Sequence, residues 1–119
     1  MYGLKADVDL SFFMGKELIQ VAVGPADVQF NLHESVSLSV QSRVEHSSKG
    51  SVKVWEGDEN EPISACSLLA LIGSSVVSVQ GDPDGTLTLE FSNGDFVKVF
   101  DTEGYEAYQI CNGDQRIYV

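Results

Sequence analysis

The stretch that decides the fold reads VVSVQGDPDGTLTLEFSNGDFVKVFDTEGYEAYQI and runs from Val76 to Ile110. Three apolar-alternating runs are punctuated by Asp82-Pro83-Asp84-Gly85 and Ser92-Asn93-Gly94-Asp95. Alternation at period two sends successive side chains to opposite faces of a strand, and proline and glycine at these positions suit tight turns. The stretch therefore predicts a β-meander. Its second connection has two readings. A two-residue Asn93-Gly94 loop pairs Phe91 with Phe96 and Leu89 with Lys98; a three-residue loop ending on a left-handed Gly94 pairs Leu89 with Val97 and Leu87 with Val99. The longer loop keeps Lys98 off the buried face and is preferred. It leaves Phe96 and Phe100 on the opposite face, where they need a cover or a partner.

Upstream, Leu18–Val23 reads as a strand stopped by Gly24-Pro25. Val28–Leu32 and Val36–Val40 alternate cleanly. A three-residue connection, His33-Glu34-Ser35, sets Leu32 opposite Val36, Phe30 opposite Leu38 and Val28 opposite Val40, whereas a two-residue loop would bury polar groups. Phe12-Phe13-Met14 suggests a lid or short helical turn ended by Gly15. Residues 42–51 (SRVEHSSKGS) read as a loop or frayed strand ends, and 52–55 as a short strand ending in Trp55, the single tryptophan. Glu56–Pro62 is an acidic exposed loop. Ile63–Ile72 reads as a helix, with Pro62 suited to a first turn and Gly73 to the position just past the end. It is apolar nearly all round, so little of it should be exposed. Downstream, Asp101–Gly104 is an acidic turn, and 105–111 with 116–119 form a terminal hairpin.

These elements predict one domain spanning 1–119, in the α+β class but mostly β. The expected form is a strongly bent antiparallel sheet, open barrel or sandwich of about eight or nine strands, with one helix over 63–72 packed on it. No repeat with a period of about 20–50 residues stands out.

Composition narrows the function classes. The 119 residues carry 18 acids against 7 bases, a formal net charge of −11. Such a field repels nucleic acid and anionic membranes, because favourable phosphate contacts need Lys or Arg. It keeps the chain soluble and steers basic partners towards it. No apolar run approaches the roughly 20 residues that span a bilayer, and the start lacks a signal-type apolar core, so a cytoplasmic protein is expected. Cys66 and Cys111 show no CxxC pairing and read as reduced core or near-core thiols.

The search for chemistry yields little. His33 falls in a predicted hairpin loop and His46 in a polar loop, both read as surface residues, and no second ligand stands at zinc spacing. A Ser–His–Asp triad would announce itself through a nucleophile-elbow motif, which is absent. Asp82–Gly85 lacks the rest of a calcium loop, and no phosphate-binding glycine motif occurs. The reading is a non-enzyme with no cofactor, metal or catalytic residues.

Three segments, Leu68–Gly73, Gly85–Gly94 and Tyr105–Ile110, together with Leu18–Val21 and Val28–Phe30, carry a resemblance to a bacterial family of small uncharacterised β-rich proteins. It covers roughly residues 15–119, leaves 42–61 unmatched, and departs at Tyr108, where the family pattern has tryptophan. Similar small acidic proteins serve as immunity proteins beside polymorphic or contact-dependent toxins. The resemblance thus implies a partner: a basic toxin domain, such as a nuclease, whose phosphate-binding Lys and Arg would meet carboxylates of this chain. The residues expected to carry that contact are Glu56, Asp58, Glu59 and Glu61 of the acidic loop, Glu103, Tyr105 and Glu106 of the second acidic turn, and Trp55 as aromatic anchor. The alternatives are a β-module that self-associates as a homodimer through an uncovered sheet face containing Phe96 and Phe100, and a small-ligand-binding barrel.

Overall fold

Among the described residues the chain forms ten strands in two antiparallel five-stranded sheets. A computed structural model describes residues 3–5, 7–56 and 62–119, the side chains of 62–64 excepted. Within it, the strands are β1 (Leu18–Val23), β2 (Val28–Leu32), β3 (Val36–Val40), β4 (Arg43–Ser48), β5 (Ser51–Glu56), β6 (Val76–Gly81), β7 (Leu87–Phe91), β8 (Phe96–Phe100), β9 (Tyr108–Asn112) and β10 (Gln115–Tyr118). Two 3-10 helices, η1 (Ser11–Phe13) and η2 (Pro62–Leu71), precede β1 and β6. The first sheet runs β1-β2-β3-β9-β10 and the second β5-β4-β8-β7-β6. The sheets do not close into a barrel.

The expected registers are present. Leu32 faces Val36, Phe30 faces Leu38 and Val28 faces Val40; Leu89 faces Val97 and Leu87 faces Val99. Gly94 takes a φ of 92°, the left-handed conformation the three-residue loop requires. Residues 42–51 depart from expectation. Most of them form β4 and the turn into β5, because β4 is paired on both sides, by β5 and by β8. Of its residues only Val44 is an apolar inward side chain, so no hydrophobic alternation marked the strand.

The helix over 62–71 forms, but as a 3-10 helix. Ala65, Leu68 and Leu71 are buried and recur every third residue, matching the three-residue turn of that helix. Cys66, Leu69 and Ala70 face outwards, so the helix is more exposed than its all-round apolar composition suggested. Cys66 is thereby an exposed thiol rather than a core one, and Cys111 is half-buried; both are free.

The order of strands has an internal symmetry. The meander β1-β2-β3 is followed by the hairpin β4-β5, and the meander β6-β7-β8 by the hairpin β9-β10. Each hairpin leaves its own meander and completes the opposite sheet, β4 against β8 and β9 against β3. The starts of β1 and β6 meet at a seam of matched bonds. Leu18 N donates to Ser74 O at 2.9 Å and Val76 N to Lys16 O at 3.0 Å; Gly73 N donates to Leu18 O and Gly15 N to Val76 O, both at 2.8 Å. Gly15 and Gly73 share a positive φ, 79° and 95°. Both β1 and β6 carry a register shift just after their first residue, between Leu18 and Gln20 and between Val76 and Ser78. Such bulges turn the edge strands and leave Ile19 and Val77 exposed.

One apolar core takes inward residues from both sheets and both helices, including Phe13, Phe30, Leu38, Trp55, Leu68, Leu87, Phe91 and Ile110. Tyr108 ties the sheets together: its hydroxyl donates to Gly85 O at 2.7 Å in a buried bond. Burial and the charge of Asp84 push its phenol well above the usual tyrosine range.

Candidate functional site

The acidic residues singled out by sequence fall at different places. Glu56 ends β5, and Tyr105 lies in the loop between β8 and β9. They line one cleft of about 360 Å³ together with Ser42, Arg43, Phe100, Asp101 and Thr102. Arg43 organises it: its guanidinium donates to Glu45 at 2.6 Å, lies 3.7 Å from Glu56, and sits 5.4 Å over the Phe100 ring. A cation over an aromatic face is a favourable electrostatic contact, so Phe100 has the cover its position required. Asp101 accepts backbone bonds from Gly3 at 2.9 Å and Thr102 at 2.7 Å, which shapes the loop. Glu103 is exposed on the same loop. Glu106 is exposed too, but it lines other clefts, one of them with Arg116 and Tyr118. Asp58, Glu59 and Glu61 lie outside the described residues.

Trp55 is not an anchor. It is 2% exposed, inside the core, and its indole N–H has no hydrogen-bond partner among the described residues. Trp55 faces Val44 across β4, and parity along β5 puts Val52 and Val54 on the outer face instead. That outer face of the second sheet carries Val52 (56% exposed), Val54 and Phe96 (40%) alongside Glu45, Glu90 and Lys98. The matching face of the first sheet is mostly polar, with Gln29 donating to Asn31 and Asn31 to Gln20 at 3.0 and 2.9 Å, beside Ser37, Ser39 and Gln109, and with Arg116 and the exposed Tyr118 on its β10 edge.

A second arrangement was not visible in the sequence. His46, expected at the surface, lies on the inner face of β4 and is 4% exposed. Its Nε2 stands 2.9 Å from Asp95 Oδ2 and its Nδ1 3.0 Å from Ser67 Oγ on η2. Asp95, 6% exposed, also accepts from Asn93 at 3.3 Å and from the Ser48 hydroxyl. Burial pushes the Asp95 carboxyl up, but these hydrogen bonds and the His46 charge outweigh it and hold it below its ordinary value. An ionised carboxylate only accepts, so in neutral His46 the proton sits on Nε2 and Nδ1 accepts the Ser67 hydroxyl. A Ser–His–Asp chain is thus assembled without an elbow motif, from a helix, a strand and a hairpin turn far apart in sequence. It borders a cleft of about 390 Å³ lined also by Ser48, Lys49, Ser51, Lys53 and Ala70. The only available signal was a histidine followed by two serines, two residues after Val44 and so at the same parity of an unrecognised strand. Among the described residues, no group of three or more His, Cys, Asp and Glu side chains is placed to hold a metal.

A family model described as a family of unknown function, DUF6188, matches residues 11–119. The chain belongs to that family. The DUF6188 match takes in both meanders, both crossing hairpins, the Arg43 cleft and all three residues of the Ser67–His46–Asp95 chain. No curated protein and no solved structure matches. Among the described residues, no helix is long and apolar enough to cross a membrane.

Proposed function

We propose that the protein is a binding module for a basic protein, and specifically an immunity protein that neutralises a basic toxin domain in the cytoplasm. The observation that carries this reading is the outer face of the second sheet. Val52, Val54 and Phe96 are exposed there, next to the cleft formed by Glu56, Asp101 and Tyr105. An apolar centre with a carboxylate rim is the surface that buries area against a partner while choosing a positively charged one. The chain's net charge of −11 supports that choice by drawing such a partner in. Among the described residues β5 is an edge strand with Ser51–Val54 exposed, so it also offers a partner strand a place to add.

The test is calorimetric titration with a toxin domain encoded beside this chain. The expected result is a stoichiometric complex that weakens as salt rises and is lost in Phe96→Glu and Val54→Glu, with a smaller loss in Glu56→Lys. A complex indifferent to all three substitutions overturns the reading. Self-association through the same face is the second reading, favoured by the exposure of Val52 and Phe96. A dimer in sedimentation velocity that Phe96→Glu converts to monomer would support it in place of the first.

A further inference from the structure

The buried polar chain Ser67–His46–Asp95 is not something this fold requires. The internal symmetry supplies the comparison. Leu32 faces Val36 across the β2–β3 hairpin, as Phe91 meets Asp95 across the β7–β8 hairpin. Leu38 faces Ile110 on β9, as Val97 faces His46 on β4. The stations of Asp95 and His46 in the second sheet are therefore held by Val36 and Ile110 in the first, both essentially unexposed. The same backbone plan closes with apolar side chains at one copy and with an ionised, hydrogen-bonded chain at the other. Buried ionised groups carry a desolvation cost that apolar side chains of similar volume do not, so packing alone does not account for them.

Electrostatics at the adjoining cleft point the same way. Lys49 and Lys53 line it, two of the seven basic residues in a chain with 18 acids. Neither has an ion-pair partner among the described residues. Lys53 stands directly across from His46 on β5, on the same sheet face. Ser67 is half-buried and lines the cleft, so its hydroxyl is both hydrogen-bonded to a base and open to a ligand.

We infer that Ser67 is a nucleophile for acyl transfer, with His46 as its general base, acting on a carboxylic ester whose acyl part carries a negative charge. Ser67 Oγ attacks the ester carbonyl carbon; the Oγ–C bond forms, and the Oγ proton passes to His46 Nδ1. The bond from carbon to the leaving oxygen breaks, and the proton moves from Nδ1 to that oxygen, releasing the alcohol. Water then adds to the acyl-serine and gives its proton to Nδ1. The Ser67 ester bond breaks, Oγ recovers the proton, and the carboxylic acid leaves. Asp95 is a positioning residue: accepting from Nε2, it fixes the tautomer that leaves Nδ1 free as a base and stabilises the imidazolium formed on the way. Lys49 and Lys53 set the preference for an anionic acyl group. This site is separate from the binding face of the proposed function, and its outcome leaves that reading untouched.

The experiment is labelling of the purified full chain with a fluorophosphonate probe, located by mass spectrometry, together with hydrolysis of two nitrophenyl esters. The expected result is phosphonylation at Ser67, abolished in Ser67→Ala. It should slow by about 100-fold or more in the double variant His46→Ile/Asp95→Val, which copies the apolar residues of the other half and whose folding is checked by its melting curve. Asp95→Asn should slow labelling and move its pH profile, which a merely structural role would not do. The half-ester nitrophenyl succinate should turn over faster than nitrophenyl acetate, with the preference lost in Lys49→Ala/Lys53→Ala. Absence of label on Ser67, or label undiminished in the folded double variant, overturns the nucleophile; equal turnover of the two esters overturns the substrate class.

Discussion

Val36 and Ile110 in the first sheet occupy the stations that Asp95 and His46 occupy in the second, and Ser37 and Ser39 those of Phe96 and Lys98. The two sheets thus share strand order, hairpin crossing and seam, but have exchanged chemistry between inside and outside. The first is apolar within and mostly polar without, with Arg116 and Tyr118 confined to its β10 edge. The second buries a charged hydrogen-bonded chain and exposes valine and phenylalanine. A second difference lies between meander and crossing hairpin. Only Gln41 and Ser42 join β3 to β4, while residues 101–107 join β8 to β9. The longer connection holds Asp101, Glu103, Tyr105 and Glu106, so the additional chain is where the acidic rim is built. Loops extended beyond what the scaffold needs are the usual carriers of function. With the scaffold counted twice, what differs between the copies is the part that folding alone does not explain.

The comparison can be broken at its core. Trp55 in the second sheet and Val119 beside the first close equivalent corners, both buried. Trp55→Ala should destabilise the protein by about 3–5 kcal/mol in denaturant titration, and Val119→Ala by clearly less, because the cavity scales with the side chain removed. Equal losses would show that the corners do not bear equivalent roles. The next largest effect concerns the charged chain. Asp95→Ala leaves His46 buried without its carboxylate and should cost about 3–5 kcal/mol, whereas His46→Ile/Asp95→Val should lie within about 1–2 kcal/mol of the parent. A double variant as unstable as the single one would mean that the second sheet cannot take the packing of the first.

Acidity sharpens the same contrast. The folded Asp95 carboxyl titrates below its unfolded value of 3.8. Its contribution is therefore complete above that value and is lost as the pH falls through the lower folded one. Between about pH 5 and pH 2 the parent should lose more stability than the His46→Ile/Asp95→Val variant, read as the change in denaturation midpoint. Tyr108→Phe, which removes the bond to Gly85 O, should cost about 1 kcal/mol. Smallest of all, Glu56→Lys should move stability by less than about 0.5 kcal/mol, since the residue is partly exposed and its ion pair with Arg43 is long.

Much of the scaffold was legible because hydrophobic alternation and turn chemistry are local. Val28–Val40 and Leu87–Val99 disclosed their registers through the parity of their apolar residues and the length of a loop. β4 was not legible, since its stability comes from two neighbouring strands and from a histidine standing where an apolar residue would be expected. The symmetry escaped for a related reason: Leu18 and Val76, or Gly15 and Gly73, match in geometry but lie further apart than the repeat periods of solenoids. Of the candidate site, Glu56 and Tyr105 were named and do share a cleft. Trp55 was misplaced because parity along β5 turned it inwards, and Ser67, His46 and Asp95 were missed because only the tertiary fold brings them together.

The crossing of the hairpins sets an order of events during synthesis. β3 cannot obtain its second neighbour until β9 and β10 have left the ribosome, and β8 must emerge before β4 has a full complement of partners. A nascent chain holding only the first meander and its hairpin presents unsatisfied strand edges, and long-range pairing of this kind is slow to form. Pulling-force measurements on stalled chains should accordingly show little tension until β9 has cleared the exit tunnel, followed by one late, cooperative peak. A chain released before that point would be expected to find its missing hairpin in another copy of itself.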